Sequence, residues 1–284
     1  MKRLTFFVVS SLLSSSSLAN DWFPETPLKA SYSALVEGNT LLAWQELQLS
    51  LSRHNVEERY WRPVKQAILS ETQCGRHLTS TASIAANISL TIISKGNANN
   101  QGYQVKLSTE QITQPLELQL FDEYNTLIVS ATVTSPTKEY HEFESDELLS
   151  EPKAGLYQLA VNGIHYPLII SSFTTTPWLH STAARAFKSL TITPPNQIAS
   201  CAPASVRWQW FDEDYNLLER PSPMNLTPAI TDNNDSYSVS LPPAAPAKAY
   251  WLSGVVSQFE YQGRIKVEYI QRFILPTSVI ETYR

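Results

Sequence analysis

LQLFDEYNTLIV, Leu118–Val129, and WQWFDEDYNLLE, Trp208–Glu219, align without a gap at an offset of 90 residues. Gln119 meets Gln209, Phe121-Asp122-Glu123 meets Phe211-Asp212-Glu213, and Leu127 meets Leu217. In each copy an apolar strand runs into acidic and Asn residues and then resumes with Leu. Asp and Asn bond their own backbone and tolerate left-handed φ, so the phrase reads as the corner of a β-hairpin. Phe121, Asp122, Glu123, Phe211, Asp212 and Glu213 are therefore assigned a structural role. Adjacent acids at a strand end point their side chains apart, which does not suit a glycosidase carboxylate pair. The D-x-[DN]-x-[DN]-G pattern of a calcium loop is missing.

Other marks repeat in the same order. Ser89-Leu90-Thr91-Ile92 returns as Ser189-Leu190-Thr191-Ile192. Tyr157, Leu159 and the Asn162-Gly163 turn return as Tyr250, Leu252 and the Gln262-Gly263 turn. Asn-Gly between two β-like runs is a strong hairpin signal. A period near 100 residues fits an immunoglobulin-like β-sandwich, so two tandem sandwiches are expected, each closing its own core. The Cys…Trp…Cys spacing of antibody domains is missing, so the likeness concerns architecture only.

Ahead of the repeats the period is helical. Leu28, Tyr32, Leu35 and Val36 share one face, and Leu41, Leu42, Trp44, Leu47 and Leu51 share another. Asn39-Thr40 and Asn55 read as helix starts, and Pro63 is expected to kink or restart the third helix. The spacing from Ala34 to Leu47 is similar to one tetratricopeptide-like helical hairpin. A single hairpin of that kind cannot bury its own face, so this segment is expected to dock, through Trp44 and Trp61, on the first sandwich. The fold class is mostly β with an N-terminal helical segment. The expected divisions are a signal peptide at 1–19, helices at 20–76, and sandwiches at 77–174 and 175–284.

Lys2-Arg3, a run of about ten apolar residues, and Ser17-Leu18-Ala19 read as a secretory leader cleaved after Ala19. Without Lys2 and Arg3 the chain carries 19 basic and 26 acidic residues, a net charge of −7. Nucleic acid and anionic membranes call for a basic face, so neither is an expected partner. No later run is long and apolar enough to span a bilayer. Two cysteines, Cys74 and Cys201, in an exported chain point to one disulfide.

Trp208 and Trp210 lie two apart and so share a strand face. They read either as core or as an aromatic platform, while Trp22 near the mature N-terminus reads as a docking anchor. The Asp232-Asn233-Asn234-Asp235 loop reads as a turn. His54, His77, His141, His165 and His180 are scattered. No H-E-x-x-H, G-x-S-x-G, phosphate loop or zinc spacing occurs. No catalytic residue, metal or cofactor is assigned.

The leader, the helical segment ending at Gln73-Cys74-Gly75-Arg76 and the paired FDE hairpins together resemble an uncharacterised family of exported Gram-negative bacterial proteins. The resemblance implies a periplasmic or envelope setting, with an extracellular one as the alternative, and carries no active residues across. The expected function is that of a non-enzymatic binding or assembly protein presenting β-sandwich surfaces to another envelope protein. The alternatives are glycan binding through exposed Trp and an envelope enzyme whose site is invisible in sequence.

Overall fold

The computed structural model describes residues 26–78, 84–97, 100–173, 177–180, 189–229, 236–242 and 244–278. The leader, Trp22, the Asp232–Asp235 loop and most of the stretch between the two halves lie outside the described residues. Three helices come first: α1 Lys29–Val36, α2 Thr40–Arg53 and α3 Glu58–Glu71. The strands are β1 Asn87–Gly96, β2 Gln101–Glu110, β3 Leu116–Phe121, β4 Leu127–Val133, β5 His141–Glu144, β6 Gly155–Val161, β7 Ile164–Ile170, β8 Leu179–His180, β9 Ser189–Ile192, β10 Ser205–Phe211, β11 Ser222–Pro223, β12 Thr227–Pro228, β13 Tyr237–Ser240, β14 Trp251–Gln262 and β15 Ile265–Pro276. The chain is mostly β with a helical N-terminal segment.

The Asn39 side chain accepts the Leu42 N–H at 3.1 Å and starts α2. Asn55 does not cap α3; Glu57 occupies that position and makes no side-chain cap. α3 also runs unbroken through Pro63. A mid-helix proline costs about 3 kcal/mol. Burying Trp61, Val64, Ile68 and Leu69 returns roughly 1.5–3 kcal/mol each, so packing overrides the break. Those residues join Trp44 and Leu47 in a second core that includes Ile169 of β7.

The strands form three sheets. One has seven strands in the order β11-β10-β14-β15-β1-β2-β5, and the others are β12-β13-β9-β8 and β4-β3-β6-β7. The repeat is topological. The first FDE phrase lies on β3 in the order β4-β3-β6-β7; the second lies on β10 in the matching order β11-β10-β14-β15.

The halves do not close separate cores. One buried cluster takes in Leu90, Leu118 and Tyr157 from the first half and Leu190, Trp210 and Val256 from the second. The cause is β1, which pairs in parallel with β15 from Ile88↔Ile265 to Gly96↔Phe273. This pairing joins the first strand to the last and welds one sheet of each half into a single layer. The equivalent edge in the first half, β7, is instead covered by helices. The Gln48 amide donates to Pro167 O at 2.9 Å, and the Lys65 ammonium donates to Ile169 O at 2.9 Å.

Candidate functional site

Lys65 is the residue to build from. It sits on α3 four residues after Trp61 and four before Leu69, on the buried stripe, and its side chain is 2% exposed. Its ammonium lies 2.7 Å from Glu260 Oε1 of β14. It also donates to Ile169 O at 2.9 Å and to Ser171 Oγ at 2.9 Å. An ammonium has three N–H donors, and these three acceptors take them. The Tyr269 hydroxyl stands at 3.4 Å and accepts the Ser171 N–H at 3.0 Å. Gln262 closes the network. Its Nε2 donates to Glu260 Oε1 and to Ile169 O, and its Oε1 accepts the Ile169 N–H. Helix, first-half strand and second-half hairpin are thus tied at one buried point.

The electrostatics follow from burial. Loss of water pushes the Lys65 ammonium below the usual lysine range, against the opposing pull of Glu260. Loss of water, with the Glu260 charge, holds the Tyr269 hydroxyl well above its ordinary value. Burial likewise raises Glu151, whose carboxylate accepts the Phe173 N–H.

A cavity of about 190 Å³ opens beside this network, lined by Arg62, Gln66, Ser172, Asn196, Gln258 and Phe259 among others. Arg62 and Glu58 form an i,i+4 pair. Glu58 also accepts the Ser172 N–H at 3.0 Å and the Ser172 hydroxyl, while Arg62 Nη2 donates to Ser172 O at 2.6 Å. Serine and carboxylate therefore meet here, and no described lining residue is a histidine. The cleft lies where α3, the segment after β7 and β14 meet. Among the described residues no group of three or more His, Cys, Asp or Glu could hold a metal.

The residues singled out from sequence are dispersed around this joint. In the first hairpin, Asp122 Oδ1 accepts the N–H groups of Tyr124 and Thr126, and Asn125 N–H bonds Asp122 O. In the second, Asp212 Oδ1 accepts the N–H groups of Asp214 and Asn216, and Tyr215 N–H bonds Asp212 O. Asn125 and Tyr215 are left-handed, with φ of +63° and +62°. Phe121 and Phe211 are both half-buried. Glu123 pairs with Lys153, whereas Glu213 is exposed. Cys74 and Cys201 are bonded to each other.

Trp208 and Trp210 do not form a binding platform; they are 4% and 6% exposed. Trp208 faces Gly254 across the ladder, where its counterpart Leu118 faces Val161. A Cβ on Gly254 would stand 3.2 Å from the Trp208 ring and 3.0 Å from Leu190. The larger side chain in the second half thus fills space that glycine leaves open, and the core volume is kept. Lys65 carries little local signal in the sequence. The available signal was a lone lysine on the Trp61–Leu69 stripe.

One surface feature stands apart. Among the described residues the three sheets have six edge strands: β11, β5, β12, β8, β4 and β7. β11 and β12 are two residues long and contain proline, and β8 is also two residues long. β5 reads HEFE and is charged; β7 contains Pro167 and lies under the helices. β4, LIVSATV, has seven residues with neither charge nor proline, and it pairs only with β3. Edge strands normally carry such protection because open N–H and C=O groups template further pairing.

The chain belongs to a family described as "Protein of unknown function (DUF2861)", whose model matches residues 22–278. No curated protein matches it. A solved structure titled "Biofilm associated protein - BSP domain" shares 9% identity over 66% of this chain and 29% of that one, with a TM-score of 0.21. The chain therefore spans under a third of that structure. No helix among the described residues is long and apolar enough to cross a membrane.

Proposed function

For this member of the DUF2861 family we propose a non-enzymatic role in the Gram-negative envelope: it is exported to the periplasm and binds a protein partner there. The open β4 edge carries this reading. An extended segment adds to such an edge through backbone hydrogen bonds, and side chains at alternate positions set specificity. Because β4 has no charge along its length, the fitting partner is an uncharged segment of another envelope protein with alternating apolar and small polar residues. The leader-like start of the sequence and the Cys74–Cys201 bond support the compartment, since disulfides persist in oxidising surroundings. The engaged donors of Lys65 support a joint in preference to a catalytic centre.

Photo-crosslinking tests this directly. A crosslinking side chain placed at Thr132, which is exposed on β4, should capture an envelope protein in intact cells. Thr132→Lys, which places a charge on the strand, should suppress that capture when the crosslinker sits at Ser130. Capture that is equally strong from exposed positions on β5, or unaltered by Thr132→Lys, would overturn the reading.

A further inference from the structure

The Gln73-Cys74-Gly75-Arg76 stretch has no part in the joint or the β4 edge. Its backbone is unusual: Gln73, Cys74 and Gly75 are consecutively left-handed, with φ of +51°, +58° and +82°. Left-handed φ is disfavoured for L-residues and persists only where the surroundings enforce it. Here they do. Cys74 is bonded to Cys201, and its N–H donates to Ser200 Oγ at 2.8 Å. Tyr261 N–H bonds Cys74 O at 2.8 Å, and Gly263 N–H bonds Gly75 O at 3.1 Å. A Cβ on Gly75 would lie 1.7 Å from Tyr261 O, so glycine is required there.

This clamp presents Arg76. Its guanidinium stacks 4.0 Å from the Tyr261 ring centroid and donates to the Tyr261 hydroxyl at 2.8 Å. Arg264, on the turn between β14 and β15, is exposed and has no partner among the described residues. Both arginines line one open groove of about 780 Å³ with Asn87, Gln111, Thr113 and Gln114. Among the described residues no acid lines it, although the Asn87 amide donates to the Glu110 carboxylate at 3.4 Å.

We propose that this groove binds an acidic oligosaccharide, its carboxylates on Arg76 and Arg264 and its hydroxyls on the surrounding amides and threonine. Guanidinium is the side chain suited to bidentate carboxylate recognition, and the groove has the size of a small-molecule site. A peptide fits less well. The wall's backbone is engaged: Ala85 O accepts both the Thr113 N–H and hydroxyl, and Cys74 O and Gly75 O are taken by β14 and the turn after it. These carbonyls are not open to an added strand, so recognition there falls to side chains. The site is independent of the β4 edge.

Calorimetric titration of the full chain with trigalacturonate, inorganic phosphate and hexaglutamate tests the assignment. Trigalacturonate should bind at low ionic strength and weaken as salt rises. Arg264→Ala should weaken it roughly tenfold, the scale of one charge-assisted hydrogen bond, and Arg76→Ala/Arg264→Ala further. Arg264 is exposed and has no partner among the described residues, so its variant should melt as the wild type does and separates binding from folding. Four results would each overturn the proposal: no trigalacturonate binding, binding unchanged in the double variant, hexaglutamate bound as tightly, or binding of phosphate alone.

Discussion

Lys65 Nζ and Glu260 Oε1 lie 2.7 Å apart with side chains 2% and 7% exposed, joining α3 to β14. Removing one member of a buried pair strands the other charge, which typically costs about 3–5 kcal/mol. Glu260→Ala is expected to fall in that range in urea unfolding. Replacing both residues with methionine should recover most of the loss, because apolar side chains of similar volume carry no desolvation penalty. A double variant as unstable as the single one would show that the network serves something other than charge balance.

The Cys74–Cys201 bond closes a separation of 127 residues. Chain entropy assigns a loop of that length about 5 kcal/mol. Cys74→Ser/Cys201→Ser should lower the unfolding midpoint accordingly. A loss below about 1 kcal/mol would mean that the paired backbone of Cys74, Tyr261 and Gly263 holds the turn unaided.

Asp212 gives a pH test. Hydrogen bonds from the Asn216 side chain and backbone hold its carboxyl below the ordinary value of 3.8. The folded value lies below the unfolded one, so the unfolded chain takes up the proton first. The contribution to stability is complete above pH 3.8 and is lost as pH falls through the lower folded value. Asp212→Ala should remove this portion of the acid dependence, leaving stability profiles that converge at the lowest pH. Parallel profiles throughout the acid range would contradict the turn's hydrogen bonding.

The left-handed pair Asn125 and Tyr215 gives the fourth. A left-handed L-residue costs roughly 1–2 kcal/mol, less for Asn. Tyr215 stacks on Trp251 with centroids 5.4 Å apart and planes at 9°, worth about 0.5–1.5 kcal/mol. Strain and stacking nearly cancel, so Tyr215→Asn should be close to neutral. Asn125→Val, a β-branched residue with no ring to stack, should cost about 1–2 kcal/mol. A strongly destabilising Tyr215→Asn would show that stacking dominates.

Local chemistry made much of the fold legible. The repeated corner could be read because its hydrogen bonds are made within five residues, by Asp122 to Thr126 and Asp212 to Asn216. The helical stripes of α2 and α3 could be read because their periodicity is local. The burial of Trp208 and Trp210 could not, because it depends on Gly254 leaving room across the ladder. The role of Lys65 is not local either, as its acceptors at Ile169, Ser171 and Glu260 lie more than 100 residues away in sequence.

By itself the sequence determined the strand–corner–strand unit, its duplication, the helical preface and the pair of cysteines. Each depends on residues that meet within a few positions or, for the cysteines, on there being only two. Tertiary structure alone decided that β1 would join β15, that helices would cover β7, that β4 would remain open and that Arg76 and Arg264 would share a groove. Those outcomes are choices among edges and faces of similar local chemistry, and only long-range packing distinguishes one from another.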